Sequence, residues 1–359
     1  MDNINIEPIW ADSMGAKSMC VKVITGDTSI IIDPSASIMQ KSYPMKLERK
    51  YQLLSDAKEE INDACEDADH IIITHYHYDH HFLPNDDLLD FSKIFTDKKV
   101  WIKSPNEWIN YSQWKRSRKF IKSLINYKQG SKKVTSLDEY EIEPQNKEYE
   151  DPLDDLPMLQ EIEEGDYSDR RKELHDKWRK NFRKRTEIWN EKKHILEPEK
   201  EDIYFADGRS FTVGNTTVRF TNPLFHGIEY AKTGWIIAVI VENRDEKFIY
   251  TSDIQGPTIE DYAQWIIQEN PDYLVMDGPA TYLLGYMLNN FNLNRSIRNA
   301  VRIIKKTDFE TILYDHHLTR EKNFRNRTED VWNNAEESDG DVLTFKEYIE
   351  DKPPLVEDL

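Results

Sequence analysis

The sequence predicts a layered α/β fold, and three observations lead to that expectation. Short apolar segments with strand character occur in both halves of the 359 residues, and segments with helical periodicity lie between them. Several of these strands end in polar residues, among them the strand before His75 and the strand before Asp315. Polar side chains that follow neighbouring strands are typical of a layered α/β protein whose site lies at one edge of its sheets.

The first half of the chain begins with a predicted hairpin. Residues 19–24 are rich in apolar side chains, a Gly-Asp turn follows, and residues 29–33 form a β-branched strand. Residues 46–66 carry a helical pattern with charged faces, and residues 70–74 form a short buried strand. The polar cluster that follows this last strand is the strongest functional signal in the sequence.

The second half of the chain returns to regular structure at residue 202. Asp-Gly and Gly-Asn turns separate its first three strands, and a hairpin turns about residues 243–245. The predicted strands lie at 203–205, 211–213, 217–220, 235–241, 247–251, 273–276 and 311–314, and the predicted helices at 257–269 and 293–306.

Residues 131–200 differ from the rest because half of them are charged. Fourteen acids and one base occupy residues 138–169, and residues 170–185 are mostly basic. Such a segment cannot bury a core of its own, so it predicts an insertion rather than a domain. We expect the acidic part to be a mobile, solvated loop that is dispensable for folding. Apolar residues recur every four positions in the basic part, which predicts an amphipathic helix; they are Leu174, Trp178 and Phe182.

Domain organisation follows from this pattern. We expect one domain over residues 1–320, interrupted by the insertion at 131–200, and a helical extension and tail over residues 321–359. The formal net charge of −19 disfavours non-specific binding of nucleic acid, which needs clustered lysine and arginine. Two cysteines suit a reducing compartment, and the longest apolar run is far below the roughly 20 residues that span a bilayer. These features predict a cytoplasmic protein without a membrane segment or signal peptide.

The cluster after residue 74 reads His-Tyr-His-Tyr-Asp-His-His. Alternation along an extended segment lets His75 and His77 point the same way and share one metal ion. Asp79 and His80 then turn away and can serve a second ion beside the first. Imidazole and carboxylate are ligands that Zn²⁺ prefers, with Fe and Mn as alternatives. Later strand ends supply three more candidate ligands, which are His226, Asp253 and His316.

These motifs resemble the metallo-β-lactamase superfamily, whose hallmark is His-x-His-x-Asp-His. Asp33 matches its first, largely structural acid, and the other ligand positions follow in the same order along residues 17–317. The resemblance implies an αββα sandwich that holds two divalent metal ions. It assigns the first ion to His75, His77 and His226, the second ion to Asp79, His80 and His316, and the bridging position to Asp253.

Five short sequence motifs, called phrases below, point to one branch of that superfamily. They are similar to a branch of archaeal hydrolases without an established substrate, and they lie at residues 12–15, 75–81, 252–257, 278–283 and 315–318. Either His316 or His317 could be the last ligand. Strand alternation favours His316, because it then faces away from Asp315. Asp79 and His317 are the predicted catalytic residues, with His317 as a proton donor.

Other residues are candidates for contacts with the substrate. Arg116 and Arg118 lie in a segment that mixes bases with aromatics, so they could steady a phosphate; the same segment also suits a solvated helix capped by Ser112. Asp277 ends a predicted buried strand and could assist proton transfer, or it could simply begin a turn. His81 is either hydrogen-bonded to a ligand or part of the rim.

Three classes of function fit this reading. The first is a phosphodiesterase that acts on a nucleotide or nucleic acid, which needs a two-metal set and a bridging carboxylate. The second is an ester, lactone or thioester hydrolase of a small metabolite, favoured by the acidic composition. The third is a metal-binding regulatory protein without catalysis, which the complete ligand set disfavours. We expect a metal-dependent hydrolase, with a phosphodiester ahead of a carboxylic ester.

Overall fold

The computed structural model describes residues 3–130, 135–160 and 167–359, with side chains from residue 172 onward in the last range. In these ranges the chain forms seventeen strands: β1 Ile4–Ala11, β2 Met19–Thr25, β3 Ser29–Ile32, β4 His70–Ile73, β5 Lys99–Ile102, β6 Glu141–Ile142, β7 His194–Ile195, β8 Ile203–Phe205, β9 Ser210–Val213, β10 Thr216–Phe220, β11 Leu224–Phe225, β12 Trp235–Ile236, β13 Val239–Asn243, β14 Glu246–Tyr250, β15 Tyr273–Asp277, β16 Thr311–Asp315 and β17 Asp341–Leu343.

Ten α-helices accompany them over the same described ranges. They are α1 Leu47–Ala64, α2 Phe91–Phe95, α3 Tyr111–Lys128, α4 Pro157–Gln160, α5 Tyr167–Glu191, α6 Glu260–Glu269, α7 Asn290–Lys306, α8 Phe324–Arg327, α9 Glu329–Glu336 and α10 Phe345–Glu350. A search of the described helices finds none that combines the length and the apolar character needed to cross a bilayer.

Two sheets form the centre of the molecule. The first has the order β1-β2-β3-β4-β5-β8, and the second has the order β17-β16-β15-β14-β13-β10-β9. In the first sheet β3, β4, β5 and β8 run parallel, and in the second β14, β15, β16 and β17 do. Parallel strands carry their connecting helices on the sheet faces, so both sheets are covered from outside.

Three apolar clusters show how the layers are stacked. One lies between the sheets and joins residues such as Ile30 and Ile32 of β3 to Val239 and Val241 of β13. A second packs the outer face of the first sheet, through Ile31 and others, against α1 and α3. The third packs the outer face of the second sheet against α6 and α7. Helices therefore cover both outer faces, and the predicted αββα sandwich of the metallo-β-lactamase fold is confirmed.

Most of the predicted elements are confirmed with small shifts at their ends. One hairpin differs, because residues 235–241 are two strands: β12 pairs with β11, and only β13 pairs with β14. The helix with mixed bases and aromatics is α3, and its N-cap is Asn110, whose side chain accepts a hydrogen bond from the Gln113 amide. The prediction that Ser112 caps this helix is therefore wrong.

The charged insertion is better packed than its composition predicts. The basic part forms α5, longer than expected, and Phe182 is buried as the apolar spacing requires. The acidic part is not a solvated loop where it is described, because Leu153, Leu156 and Leu159 are buried in the cluster beside α6 and α7. The Asp261 carboxylate accepts hydrogen bonds from the backbone amides of Met158 and Leu159. Residues 131–134 and 161–166 of the predicted insertion lie outside the described part.

The C-terminal residues are part of the sandwich rather than an appended tail. The expected helices are present as α8, α9 and α10, but β17 also extends the second sheet beside β16. Val356, near the end of the chain, is fully buried. The predicted boundary at residue 320 is therefore not a division in the fold.

Candidate metal centre

The candidate ligands meet at one edge of the two sheets. His75 follows β4 of the first sheet, and Asp253 and His316 follow β14 and β16 of the second. The parallel strands direct their carboxyl ends to the same edge, which is where sites form in such folds. The five phrases that resemble the archaeal branch all contribute contacts at this edge.

Asp253 lies between two pairs of histidines, and each of its carboxylate oxygens faces one pair. Its Oδ2 atom lies 3.1 Å from His226 Nε2 and 3.4 Å from His75 Nε2. Its Oδ1 atom lies 2.9 Å from His80 Nε2 and 3.3 Å from His316 Nε2. One carboxylate thus contacts two sets of imidazoles, which is the arrangement that a bridging ligand needs.

Four groups of side chains among the described residues could hold a metal ion, and two of them contain the residues that the resemblance assigns to each ion. His75, His77 and His226, with Asp253, offer atoms that all lie within 4.8 Å of one another. We call the three histidines the His75 side. Asp79, His80 and His316 form a second such group, which we call the His80 side.

Buried atoms without hydrogen bonds test whether a metal ion fits here. His75 Nε2, His80 Nε2 and Asp253 Oδ1 are buried, and although the imidazoles lie close to the Asp253 carboxylate, none of the three atoms has a partner with hydrogen-bond geometry in the described chain. Such atoms are rare in folded proteins unless an ion or water satisfies them. These are the atoms that would bind a metal ion, and neutral imidazole with carboxylate suits Zn²⁺. The donor set therefore fits divalent metal ions.

Asp33 holds the first sheet's part of the centre in place. Its Oδ2 atom lies 2.8 Å from His80 Nδ1 and accepts hydrogen bonds from the hydroxyl groups of Thr74 and Tyr250. Its Oδ1 atom accepts a bond from the Thr74 amide. A carboxylate behind an imidazole fixes the ring and makes it a stronger ligand. The predicted structural role of Asp33 has this physical basis.

Asp12 plays the same part for His316, a contact that the sequence analysis did not identify. Asp12 Oδ1 lies 2.9 Å from His316 Nδ1, and Oδ2 accepts a hydrogen bond from Arg320 Nε. Arg320 Nη2 lies 3.5 Å from Asp79 Oδ2 and 3.4 Å from His316 Nε2. A buried guanidinium thus lies beside two ligands of the His80 side.

The pKa values of His75 and His80, one histidine from each side of Asp253, are shifted in opposite directions. Burial lowers the pKa of His75 to about 4, which keeps the imidazole neutral as a ligand must be. Burial also lowers the pKa of His80, but Asp253 and Asp33 outweigh it and raise that pKa to about 10. A metal ion that binds His80 Nε2 therefore displaces a proton.

His317 lies beside the ligands and pairs with Asp277. Its Nδ1 atom lies 3.0 Å from Asp277 Oδ1 and 3.1 Å from Oδ2, and its backbone amide donates to the same carboxylate. Burial raises the pKa of Asp277 well above its usual value and lowers the pKa of His317. His317 also has a ring nitrogen within 4.8 Å of ligand atoms of Asp253 and His316.

The alternation that favoured His316 does not extend past the strand. His316 has a φ of 60°, in the left-handed region, and begins a 3₁₀ turn. The two histidines therefore both approach Asp253, while Asp315 points away and accepts hydrogen bonds from Ser13 N and Phe345 N. Left-handed backbone at non-glycine residues is costly and concentrates at functional sites. Asp33, Ser252 and Gln255 adopt it here as well.

The three remaining candidates lie in different places. Arg118 is buried, and its guanidinium donates to the backbone carbonyls of Pro105 and Lys193, contacts that disfavour its predicted role in binding a substrate. Arg116 donates to the carbonyl of Tyr76, between the first two histidines of the motif. His81 Nδ1 lies 2.8 Å from the carbonyl oxygen of His77.

No protein-family model matches the chain. A UPF0282 protein of Korarchaeum cryptofilum is 30% identical over 351 residues, which cover 98% of this chain and 90% of the relative. The chain belongs to the UPF0282 family. UPF0282 protein MK0213 of Methanopyrus kandleri is 28% identical over 361 residues, which cover 99% of this UPF0282 chain and 97% of that relative. Both relatives are archaeal, as the narrower resemblance implied.

Among solved structures, the UPF0282 chain is similar to the metallo-beta-lactamase fold protein YhfI from Bacillus subtilis. The sequence identity is 14%, the alignment covers 96% of each chain, and the TM-score is 0.40.

Proposed function

We propose that the chain is a hydrolase that uses two divalent metal ions and cleaves phosphodiesters. The observation that carries this proposal is the position of Asp253, with one carboxylate oxygen toward the His75 side and the other toward the His80 side. When bound, divalent ions in such a site supply Lewis acidity that activates water and stabilises negative charge. The remaining work falls to residues of the chain.

A phosphodiester is favoured by the charge beside the ligands. Arg320 is held by Asp12 and by the Tyr282 hydroxyl, which lies 3.2 Å from Arg320 Nη1. Its guanidinium is directed along Asp79 and His316. A preorganised guanidinium stabilises the charge that spreads over phosphoryl oxygens during displacement, whereas a neutral acyl group needs less of it.

His317 is suited to donate a proton to the leaving oxygen. The raised pKa of Asp277 and the lowered pKa of His317 favour a pair in which both groups are neutral. In that pair Asp277 holds the proton between its carboxylate and Nδ1, so the imidazole carries its own proton on Nε2. The alternative, a carboxylate beside an imidazolium, also has a proton on Nε2. In the neutral pair, the Asp277 proton passes to Nδ1 as Nε2 gives up its proton; in the charged pair, the imidazolium gives up the Nε2 proton directly. Both steps end as an Asp277 carboxylate beside a neutral imidazole, and Asp277 orients the ring.

Metal analysis and a substrate panel test the proposal together. Protein purified without chelator should hold about two equivalents of Zn, Mn or Fe, as a two-metal site requires. It should hydrolyse bis(4-nitrophenyl) phosphate, and a chelator should abolish that activity. A protein that holds only a trace of metal after incubation with Zn²⁺ or Mn²⁺ would overturn the metal site. Turnover of lactones or thioesters alone would replace the phosphodiester with a carboxylic ester.

A further inference from the structure

A groove of about 500 Å³ lies outside the metal centre, between the start of α3 and the second half of α5. Tyr111 and Trp114 of α3 form one wall, and Lys184, Arg185 and Ile188 of α5 form the other. Lys232 also lines it, and we call this feature the basic groove.

The basic groove has positive charge without compensating acids. No aspartate or glutamate of the described residues lines it, although the whole chain carries 67 acidic residues and a net charge of −19. Lys184, Arg185 and Lys232 form no ion pair with any described residue. Arg179, one turn or more earlier on α5, is different because it pairs with Asp151. Arg185 Cζ lies 5.2 Å from the centroid of the Trp235 ring. Lys184 and Lys232 have no acidic partner among the described residues and can therefore contact an anionic ligand.

Flat apolar surface lies beside these cations. The side chain of Tyr111 is 58% exposed, and its ring is nearly parallel to that of Trp114, with an angle of 9° between the planes. Lys115 Nζ lies 4.4 Å from the centroid of the Tyr111 ring and Arg118 Cζ lies 3.6 Å from that of Trp114, so a base can stack only on the opposite face of either ring. Ile188 is 38% exposed on the facing helix. Exposed aromatic rings next to a track of lysine and arginine are the means by which proteins hold single-stranded nucleic acid, since bases stack while cations contact phosphates. A duplex hides its base faces and cannot use the rings.

Hydrogen bonds connect the groove to the metal centre. The side chains of Asn110 and Gln113, at the start of α3, each donate to the carbonyl of Thr233 at 2.7 Å. Thr233 in turn donates through its hydroxyl to the carbonyl of His226, also at 2.7 Å. Lys232 of the groove and His226 of the His75 side thus belong to one short, braced loop. The groove and the His75 side therefore share this loop.

We propose that the basic groove binds single-stranded nucleic acid and presents one of its phosphodiesters to the metal centre. This inference rests on the proposed function and names its substrate class. The overall acidity of the chain is consistent with it, because the acidic surface repels nucleic acid elsewhere and leaves this groove as the local positive site.

Fluorescence anisotropy with labelled twelve-nucleotide oligo-U and oligo-dT, and with a blunt duplex, tests the groove on the full-length chain. The Lys184→Ala/Lys232→Ala variant should bind the single strands more weakly, and its log–log salt slope should fall by about 1.4 because two phosphate contacts are lost. Tyr111→Ala should weaken binding about tenfold through lost stacking. The matched control, Lys119→Ala/Lys180→Ala, removes two exposed charges from the same two helices outside the groove and should bind as the wild type does.

The outcomes separate this inference from the proposed function. Equal weakening in groove and control variants, or tighter binding of the duplex, would overturn the groove. Binding of RNA, DNA or both single strands with loss in the groove variants supports it. Wild-type turnover of bis(4-nitrophenyl) phosphate is measured in parallel: its absence in metal-loaded protein that still binds strands through the groove contradicts the proposed hydrolysis and leaves the groove as a binding site.

Discussion

The two sides of the candidate metal centre differ in what lies behind their histidines. On the His80 side, both imidazoles contact a buried carboxylate through Nδ1: His80 contacts Asp33 at 2.8 Å, and His316 contacts Asp12 at 2.9 Å. Both carboxylates are fully buried. The rings are therefore fixed by strong, charge-assisted contacts.

On the His75 side, no carboxylate of the described chain takes this position. His75 Nδ1 lies 3.3 Å from the Thr74 hydroxyl and 3.4 Å from the Ser252 hydroxyl. His226 Nδ1 is buried without a hydrogen-bond partner in the described chain. These contacts are long or missing, and none of them carries charge.

This difference in the groups behind the histidines predicts which of the two ions is bound more tightly. A carboxylate behind an imidazole raises its basicity and keeps its lone pair directed at the ion. We therefore expect the ion on the His80 side to resist chelation and the ion on the His75 side to exchange first. His226 of the His75 side also lies in the loop that contains Lys232 of the basic groove.

Removal of Asp253 should affect both sides of the centre, because this carboxylate contacts histidines of each side. Asp253→Ala should lower the metal content from about two equivalents to a trace, since each ion loses a charged ligand and the negative charge between the two cations is removed. Elemental analysis after gel filtration measures this. The circular dichroism spectrum should remain that of a folded protein; a folded variant with two equivalents would show that Asp253 does not bridge.

Removal of either histidine at the end of β16 should separate ligand from proton donor. His316→Ala should lose the ion of the His80 side and its activity. His317→Ala should keep both ions and slow turnover about 10²-fold, because a general acid contributes on that order. The loss should shrink for substrates with good leaving groups, which need no proton.

The opposite pattern would reverse these two roles. A metal deficit in His317→Ala with full occupancy in His316→Ala would make His317 the ligand. Asp277→Asn provides the matched variant for the proton donor. It keeps a hydrogen-bonding side chain beside His317 but removes the carboxyl group that shares the proton, so the proton is lost at lower pH. The basic limb of the pH profile should therefore move to lower pH without loss of metal.

The sequence identifies the candidate ligands that the structure places at one edge, because they follow strands that the sequence also predicts. The His-x-His-x-Asp-His motif comes directly after β4, and Asp253 and His316 follow β14 and β16. The contacts behind the ligands were not predictable in the same way. Asp12 meets His316 across 304 residues of chain, and only the pairing of strands in both sheets brings them together.

The charged insertion was predicted less well, because a count of charges hides a few well-placed apolar residues. Leu153, Leu156 and Leu159 are spaced three apart among acids, and all three are buried. The short strand β5 and the edge strand β17 were also missed. Each is only three or four residues long, so periodicity gives little signal, and its pairing depends on neighbours that are distant in sequence.

The smallest expected effect comes from removing the charge of one carboxylate behind one histidine, and this change compares the two sides most directly. Asp12→Asn keeps the size of the side chain and its contact with His316, but the contact is no longer charge-assisted. The affinity for the ion of the His80 side should fall about 10- to 100-fold, as for other carboxylates behind metal-bound histidines. Ser252→Ala is the matched change on the His75 side. It should have a smaller effect on the other ion, because a neutral hydroxyl at 3.4 Å from His75 Nδ1 contributes little. Competition titration with a chromogenic chelator resolves the two affinities in each variant. If Ser252→Ala lowers an affinity more than Asp12→Asn does, the carboxylates do not set the order of metal binding.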